Sequence, residues 1–496
     1  MANLKSLLKD TAIYGMSSII GRFLNYLLVP LYTHVFTVTS GGYGVVTNLY
    51  AYVALILVIL TFGMETTFFR FANKEDENPH CVFSTTIFMV GILTAAFLAI
   101  IFGFIGDISS VLGYQDHKDY ILMMACVVAL DAIQAIPFSY LRYKKKAIKF
   151  ASLKLLFIVL NIGLNLFFFV YLSKTDVFYV FFLNLVCTGL ITFFFIPEFA
   201  HEHMAARVYC KEHNVPFKIV DFALLKRMFG YSWPILVLGI AGILNQTLDK
   251  MIFPLVYPDH QKAMEELAIY GGCVKIAMIM AMITQAFRFA YEPFVFGNAK
   301  EKDNRKMYAS AMKYFVIFTL LAFLVVVGYM DLLRHIIGRD YWEGLNVVPI
   351  VMAAEIMMGV YFNLSFWYKL IDKTIWGAYF SGIGCLVLIA INLIFVPQYG
   401  YIACAWAGFA GYGTAMVLSY IVGQKKYPID YPVKDIMIYV VLAIVLFAGM
   451  TQVNKYLSPI MALAANTVLI LIFTAYLVKK DFPLSSLPVV GKYFRK

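Results

Sequence analysis

The chain has 496 residues, 62% of them hydrophobic and 14% charged, and a formal net charge of +11. So little polar surface excludes a water-soluble enzyme or nucleic-acid-binding domain of this size, and leaves a chain whose solvent is mostly lipid. No stretch long enough for a separate soluble domain remains between the apolar segments.

Fourteen apolar segments follow in chain order, near 11–36, 42–69, 81–105, 118–141, 149–173, 176–197, 228–256, 265–296, 309–329, 342–368, 374–396, 400–423, 433–451 and 457–478. Each is continuously apolar and about 20 residues or longer, enough to cross the hydrocarbon core as a helix. The alternating ten-residue strands of an outer-membrane barrel are absent from the sequence. The expected fold is an all-α polytopic membrane protein of about 14 transmembrane helices. The opening MANLKSLLKD lacks a small-residue cleavage site, so the first span is expected to be retained.

Lys and Arg fall in every second connection: 28 lie at the N-terminus, in 70–74, 142–149, 198–227, 297–308, 369–373, 424–434 and the C-terminal tail, and six on the opposite side. A positive bias marks the cytoplasmic face, so both termini are expected inside. That asymmetry accounts for the net charge without a nucleic-acid partner. The seven cysteines form no C-x-x-C pair and read as packing residues. His201-Glu202-His203 places its histidines on different faces of a helix, which argues against a metal site; no metal, cofactor or catalytic residue is expected.

An internal repeat is visible in three anchors. Asn25 in LNYLLVPLY is echoed by Asn245 in LNQTLDKMIFPLV, FRFA at 69–72 recurs at 287–290, and Asn165 in GLNLFFFVY is echoed by Asn392 in AINLIFVPQ. An even number of spans per copy gives both copies the same orientation. The expected organisation is two pseudo-symmetric six-helix lobes, 1–197 and 228–423, a cytoplasmic amphipathic linker 198–227, and helices 13 and 14 with the tail at 424–496.

Several charges sit inside the spans: Arg22, Glu65, Asp131, Asp249, Lys250, Lys275, Arg288, Glu292 and Glu355. Each central charge costs about 2.5–3.5 kcal/mol to insert, so together they require water, partners or a ligand. Pairing is one reading: Arg288 and Glu292 are one turn apart on a helix, and Glu65 is within reach of Arg70 or a neighbouring span. Arg70 also reads as an inside-positive anchor. Arg22 has no acid within a turn on its own helix.

The segments TAIYGMSSIIGRFLNYLLVPLYTHVFTVTSGGYGVVTNLY, FGMETTFFRF, DAIQAIPFSYLRYKKKAIKFA and NLIFVPQYGYIACAWA resemble the bacterial polysaccharide (O-antigen and capsule) flippases, the Wzx-like branch of a superfamily that also holds lipid II flippases and multidrug exporters. The resemblance covers almost the whole chain. It implies a two-lobed transporter of the bacterial cytoplasmic membrane that moves an undecaprenyl-pyrophosphate-linked oligosaccharide from the inner to the outer leaflet by alternating access. Its expected partners are that lipid-linked oligosaccharide, membrane lipids and polysaccharide assembly proteins.

On this reading Arg22, Arg70 and Arg288 line a cavity between the lobes and hold the pyrophosphate, since a guanidinium pairs bidentately with phosphate and stays charged when partly dehydrated. Lys250, Lys275, Glu65, Asp249 and Glu292 are further cavity charges. Tyr26, Tyr270 and Tyr291 are candidates for stacking on sugars. No P-loop occurs, so the expected energy source is the membrane potential, with coupling to H+ or Na+ through Asp131 or Glu355. Two alternatives stay open: a cation-coupled multidrug exporter of the same superfamily, and a membrane polysaccharide polymerase, which the short outer connections disfavour.

Overall fold

The computed structural model describes residues 26–74, 77–212, 220–297, 304–371 and 373–481. Among these residues every regular element is helical, and 13 helices are long and apolar enough to cross a membrane. Of the expected first span only the end is described, as the helix Leu28–Val35.

Packing divides the chain into two compact units, Met1–Gly271 with Phe395–Tyr401, and Gly272–Ile394 with Ile402–Lys496. In chain order the helices are α1 (Leu28–Val35), α2 (Gly42–Thr61), α3 (Met64–Ala72), α4 (Pro79–Gly103), α5 (Ile105–Leu112), α6 (Lys118–Tyr143), α7 (Ala147–Leu166), α8 (Phe178–Phe193), α9 (Ile196–Glu212), α10 (Phe222–Val256) and α11 (His260–Gly297). They continue with α12 (Asn304–Gly328), α13 (Met330–Leu333), α14 (Val347–Leu364), α15 (Phe366–Leu370), α16 (Ile375–Tyr399), α17 (Tyr401–Lys426), α18 (Val433–Tyr456) and α19 (Pro459–Lys480).

Local chemistry sets several boundaries. α4 starts where the Asn78 side chain accepts from the His80 amide at 2.9 Å, with Pro79 in the first turn. α10 is capped by Asp221, which accepts from the amides of Ala223 and Leu224 at 2.9 and 3.0 Å. The span expected at 42–69 is two helices, because Phe62 and Gly63 take φ values of 50° and 67° and end α2. A Cβ at Gly63 would also come within 2.9 Å of the Ile235 side chain on α10.

In unit 1, α6 is the central helix. Its apolar stretch is 67% buried, against 22% for α4, which turns most of its surface outward to lipid. α6 packs on α2, α4 and α8, and α2 packs on α10. Met64, Phe68, Val82, Val128, Ala132, Ile136 and Met228 form the apolar core beside it. α2 is tied to α10 by hydrogen bonds from the Asn48 amide to the Lys250 carbonyl (2.7 Å) and from the Tyr52 hydroxyl to the Met251 carbonyl (3.1 Å). Tyr114, in the connection before α6, donates to Asn48 at 2.8 Å, and its burial raises the hydroxyl's pKa well above the usual value, which keeps it a donor. Gly44 and Gly271 allow α2 and α11 to touch: a Cβ at Gly44 would overlap the Met264 carbonyl, and one at Gly271 would overlap Thr47.

In unit 2, α12 packs on α14, α18 and α19. One end of this group is held by ions: Lys313 reaches Asp435 at 3.1 Å and Asp481 at 2.5 Å, Lys480 reaches Asp435 at 2.9 Å, and Tyr439 donates to Asp481 at 2.5 Å. The other end is held by Asn466, which donates to the Gly328 carbonyl at 2.9 Å and to Asn454 at 2.8 Å. α16 and α17 are joined by Gly400 alone, with φ of 56°, and pack backbone to backbone: a Cβ at Gly384 would lie 2.7 Å from the Gly411 carbonyl, and one at Gly411 would lie 2.9 Å from that of Gly384.

The asparagines of the repeat share one geometry. Asn165 and Asn392 are buried, and each side-chain amide donates to the carbonyl four residues earlier, at 2.7 and 2.8 Å. Each side-chain oxygen accepts from another helix, from the Tyr32 hydroxyl at 2.8 Å and the Cys404 thiol at 3.2 Å respectively. Asn245 likewise donates to the carbonyl of Ala241 at 2.9 Å; its counterpart Asn25 lies outside the described residues. The six cysteines whose side chains are described are free thiols.

Candidate functional site: a charged cavity in the first unit

Asp131, Gln134, Phe138 and Arg142 recur at intervals of three and four residues, which places them on one face of α6 over a rise of roughly 16 Å. Phe150, Lys154 and Phe157 do the same on α7. These two faces, with Leu57 of α2, Glu65 of α3 and Ile191 of α8, enclose a cavity of about 390 Å3.

Two acids and two bases meet there. The Arg142 guanidinium lies 3.8 Å from the Glu65 carboxylate and 4.9 Å from the centre of the Phe69 ring. It donates to the Ser139 hydroxyl at 3.3 Å, while its Nε is buried without a hydrogen-bond partner among the described residues. Gln134 is fixed by donating to the Thr188 carbonyl at 2.9 Å and the Thr192 hydroxyl at 2.7 Å. The Lys154 ammonium rests 3.9 Å from the centre of the Phe138 ring. It is within electrostatic reach of Asp131 and Glu65, yet neither Asp131 nor Lys154 has an ion-pair partner within 4.0 Å among the described residues.

Of the charges singled out in the sequence, Glu65 and Asp131 therefore share one cavity. Its other polar members, Lys154, Arg142 and Gln134, were not among the sequence candidates. Lys154 was legible as a lysine two turns inside an apolar helix, and the partners on α6 as residues sharing the face of Asp131. Lys250 and Asp249 pair with each other at 2.9 Å, and Asp249 also accepts from the Tyr270 hydroxyl at 2.8 Å. Tyr270 is thus committed to a carboxylate, and Tyr291 is buried against Phe287 and Phe366, with ring centres 5.1 and 5.2 Å apart. Tyr26, the first described residue, is partly buried.

The arginines occupy separate settings. Arg22 lies outside the described residues. Arg70, exposed on α3, sits 4.0 Å over the Tyr231 ring in unit 1. Arg288, half-buried on α11 in unit 2, sits 4.8 Å from the Phe362 ring. Lys275 and Glu355 are half-buried on α11 and α14, and the side chain of Glu292 is not described. At the other candidate motif, Glu202 is buried on α9 and takes hydrogen bonds from Tyr140 and, at 2.6 Å, His80. No cluster of three metal-ligating side chains occurs among the described residues.

The spanning helices define a multi-pass α-helical membrane protein. The chain belongs to the family described as "Polysaccharide biosynthesis protein", whose model matches residues 7–291. In fold it is similar to a structure titled "Lipid II flippase MurJ, inward closed conformation", with a TM-score of 0.70 at 15% identity over 94% of this chain and 98% of that one. It is also similar to an inward-facing multidrug-resistance transporter of the MATE family, with a TM-score of 0.62 at 12% identity over 84% and 97%. A third similar structure is an outward-facing multidrug-resistance transporter of the same MATE family, with a TM-score of 0.54 at 14% identity over 84% and 95%. No curated protein matches the chain by sequence.

Proposed function

We propose that the protein is a flippase that moves an undecaprenyl-pyrophosphate-linked oligosaccharide from the inner to the outer leaflet of the bacterial cytoplasmic membrane, with both termini in the cytoplasm. The observation that carries this reading is membership of the polysaccharide biosynthesis family in a chain whose fold, along 94% of its length, is similar to that of a lipid II flippase. A lipid-linked glycan and a polytopic carrier without a P-loop fit together, because an anionic headgroup leaving a negative interior gains about 2.3 kcal/mol per charge per 100 mV.

Arg22, Arg70 and Arg288 are the proposed ligands of the pyrophosphate. Arg70 supports this role through its exposure and its contact with Tyr231, an aromatic face that holds a guanidinium without neutralising it. Asp131 and Glu355 are the proposed coupling groups for H+ or Na+. The test is deletion of the gene, with surface polysaccharide and inner-leaflet undecaprenyl-pyrophosphate-linked oligosaccharide quantified in the same cells. Lost surface glycan with accumulated precursor, copied by Arg22→Ala or Arg70→Ala, supports the reading. Unchanged glycan with new sensitivity to cationic drugs overturns it in favour of a multidrug exporter.

A further inference from the structure

We propose that the Lys154 ammonium is a tethered counter-cation that occupies the cavity of unit 1 in place of a free monovalent metal ion, and that Asp131 is the carboxylate it serves. The inference narrows the coupling role proposed for Asp131 to H+, because it excludes Na+ from this site, and it takes its mechanistic meaning from the transport reading.

The charges of the cavity sort themselves by distance. Glu65 and Arg142 approach to 3.8 Å, which leaves Asp131 and Lys154 as the remaining acid and base. They come from different helices, α6 and α7, and line the same space. Neither has an ion-pair partner within 4.0 Å among the described residues, although each is within electrostatic reach of the other. A carboxylate and a fixed amide, Gln134, facing a space of about 390 Å3 would suit a small hydrated cation. That space already holds a positive charge on a flexible four-carbon stem, parked on the Phe138 ring at 3.9 Å. With Glu65, Asp131, Arg142 and Lys154 all ionised the cavity is neutral. A sodium ion entering as well would leave it with an excess positive charge in a low-dielectric setting, which is unfavourable.

Removing the ammonium should open the site to the ion it replaces. The full-length protein, purified in detergent, is unfolded thermally in NaCl and in choline chloride at equal ionic strength. Lys154→Met is expected to gain a sodium-specific, saturable rise in Tm of about 2–4 °C. The rise should be missing in wild type and lost again in the double variant Lys154→Met with Asp131→Asn. Lys154→Met titrating like wild type overturns the proposal, as does a sodium response in wild type that Asp131→Asn alone removes. Should Lys154→Met fail to fold, the double variant, which removes the charge together with its partner, is expected to recover the folded yield; an equal failure of the double variant overturns the assignment. The readout is ion binding, so a gain of sodium response in Lys154→Met stands even where the gene deletion leaves surface glycan unchanged and the flippase reading falls.

Discussion

A buried asparagine has more hydrogen-bonding capacity than a lipid-facing helix can satisfy, and this chain uses Asn165 to join α7 to α1. Its oxygen takes the Tyr32 hydroxyl at 2.8 Å, and its amide closes on the carbonyl of Asn161 at 2.7 Å. Asn165→Leu removes the acceptor and leaves the Tyr32 hydroxyl buried without a partner, for an expected loss of about 1–3 kcal/mol. Adding Tyr32→Phe removes the orphaned donor and should return part of that loss, which the two Tm values measured side by side will decide. Lys313 is a second test at this scale, because its ammonium serves both Asp435 and Asp481. Lys313→Ala is expected to lower stability by about 1–3 kcal/mol, less at high salt, since the Asp435 end is more open to solvent than the Asp481 end. At the residue scale the sequence was partly legible. Intramembrane acids identified Glu65 and Asp131 as belonging to a polar interior, but Arg142 read as one more member of a basic loop, because distance from the end of α6 does not reveal which way a guanidinium turns.

At the scale of the element, close backbone contact fixes how α2 meets α11. Thr47 and Gly271 are near enough that a Cβ at Gly271 would lie 3.2 Å from the Cβ of Thr47, a few tenths of an ångström inside the range of a disulfide, so that a small outward shift allows the bond. Cysteines at both positions are expected to cross-link under mild oxidation, visible as a mobility shift on a non-reducing gel after cleavage of an engineered site between them. Gly44→Leu, which pushes against the Met264 carbonyl, should reduce that cross-link several-fold while the protein still reaches the membrane. Helix existence was readable from unbroken hydropathy. The break at Phe62 and Gly63 was not, because a Phe-Gly pair within an apolar run carries no charge or proline to mark two left-handed residues. The same holds for α9: a charged connection after the sixth span was legible, but its seating through Glu198, Glu202 and Ala206, all buried, depends on Lys149, His80 and Tyr140 on other helices.

For the whole molecule, the alternation of basic connections gives a topology that labelling can check. Single cysteines replacing Lys146 and Ile336 are expected to react from opposite sides of the membrane, Lys146 only after permeabilisation of the inner membrane and Ile336 in intact spheroplasts. Ile336 is 42% exposed, which makes it accessible to a small maleimide. Labelling of both from the same side would remove the orientation on which the proposed direction of transport depends. The polytopic helical class was legible because lipid permits so few solutions to backbone hydrogen bonding. The division at Gly271 was not, since it falls within α11, where neither composition nor a turn signal changes.

The bare contact between Gly384 and Gly411 bears on how the chain is made. α17 is the least apolar of the 13 candidate spans among the described residues and follows the strongly apolar α16 after a single residue. Four glycines and several hydroxyl-bearing side chains make α17 a poor candidate for entering lipid alone. With only Gly400 between them, α17 turns back against α16 as soon as both are helical. The two helices are therefore expected to enter the bilayer as one hairpin, the strongly apolar arm carrying in the weaker one, and substitutions that weaken α16 are expected to appear first as misinsertion of α17 during synthesis.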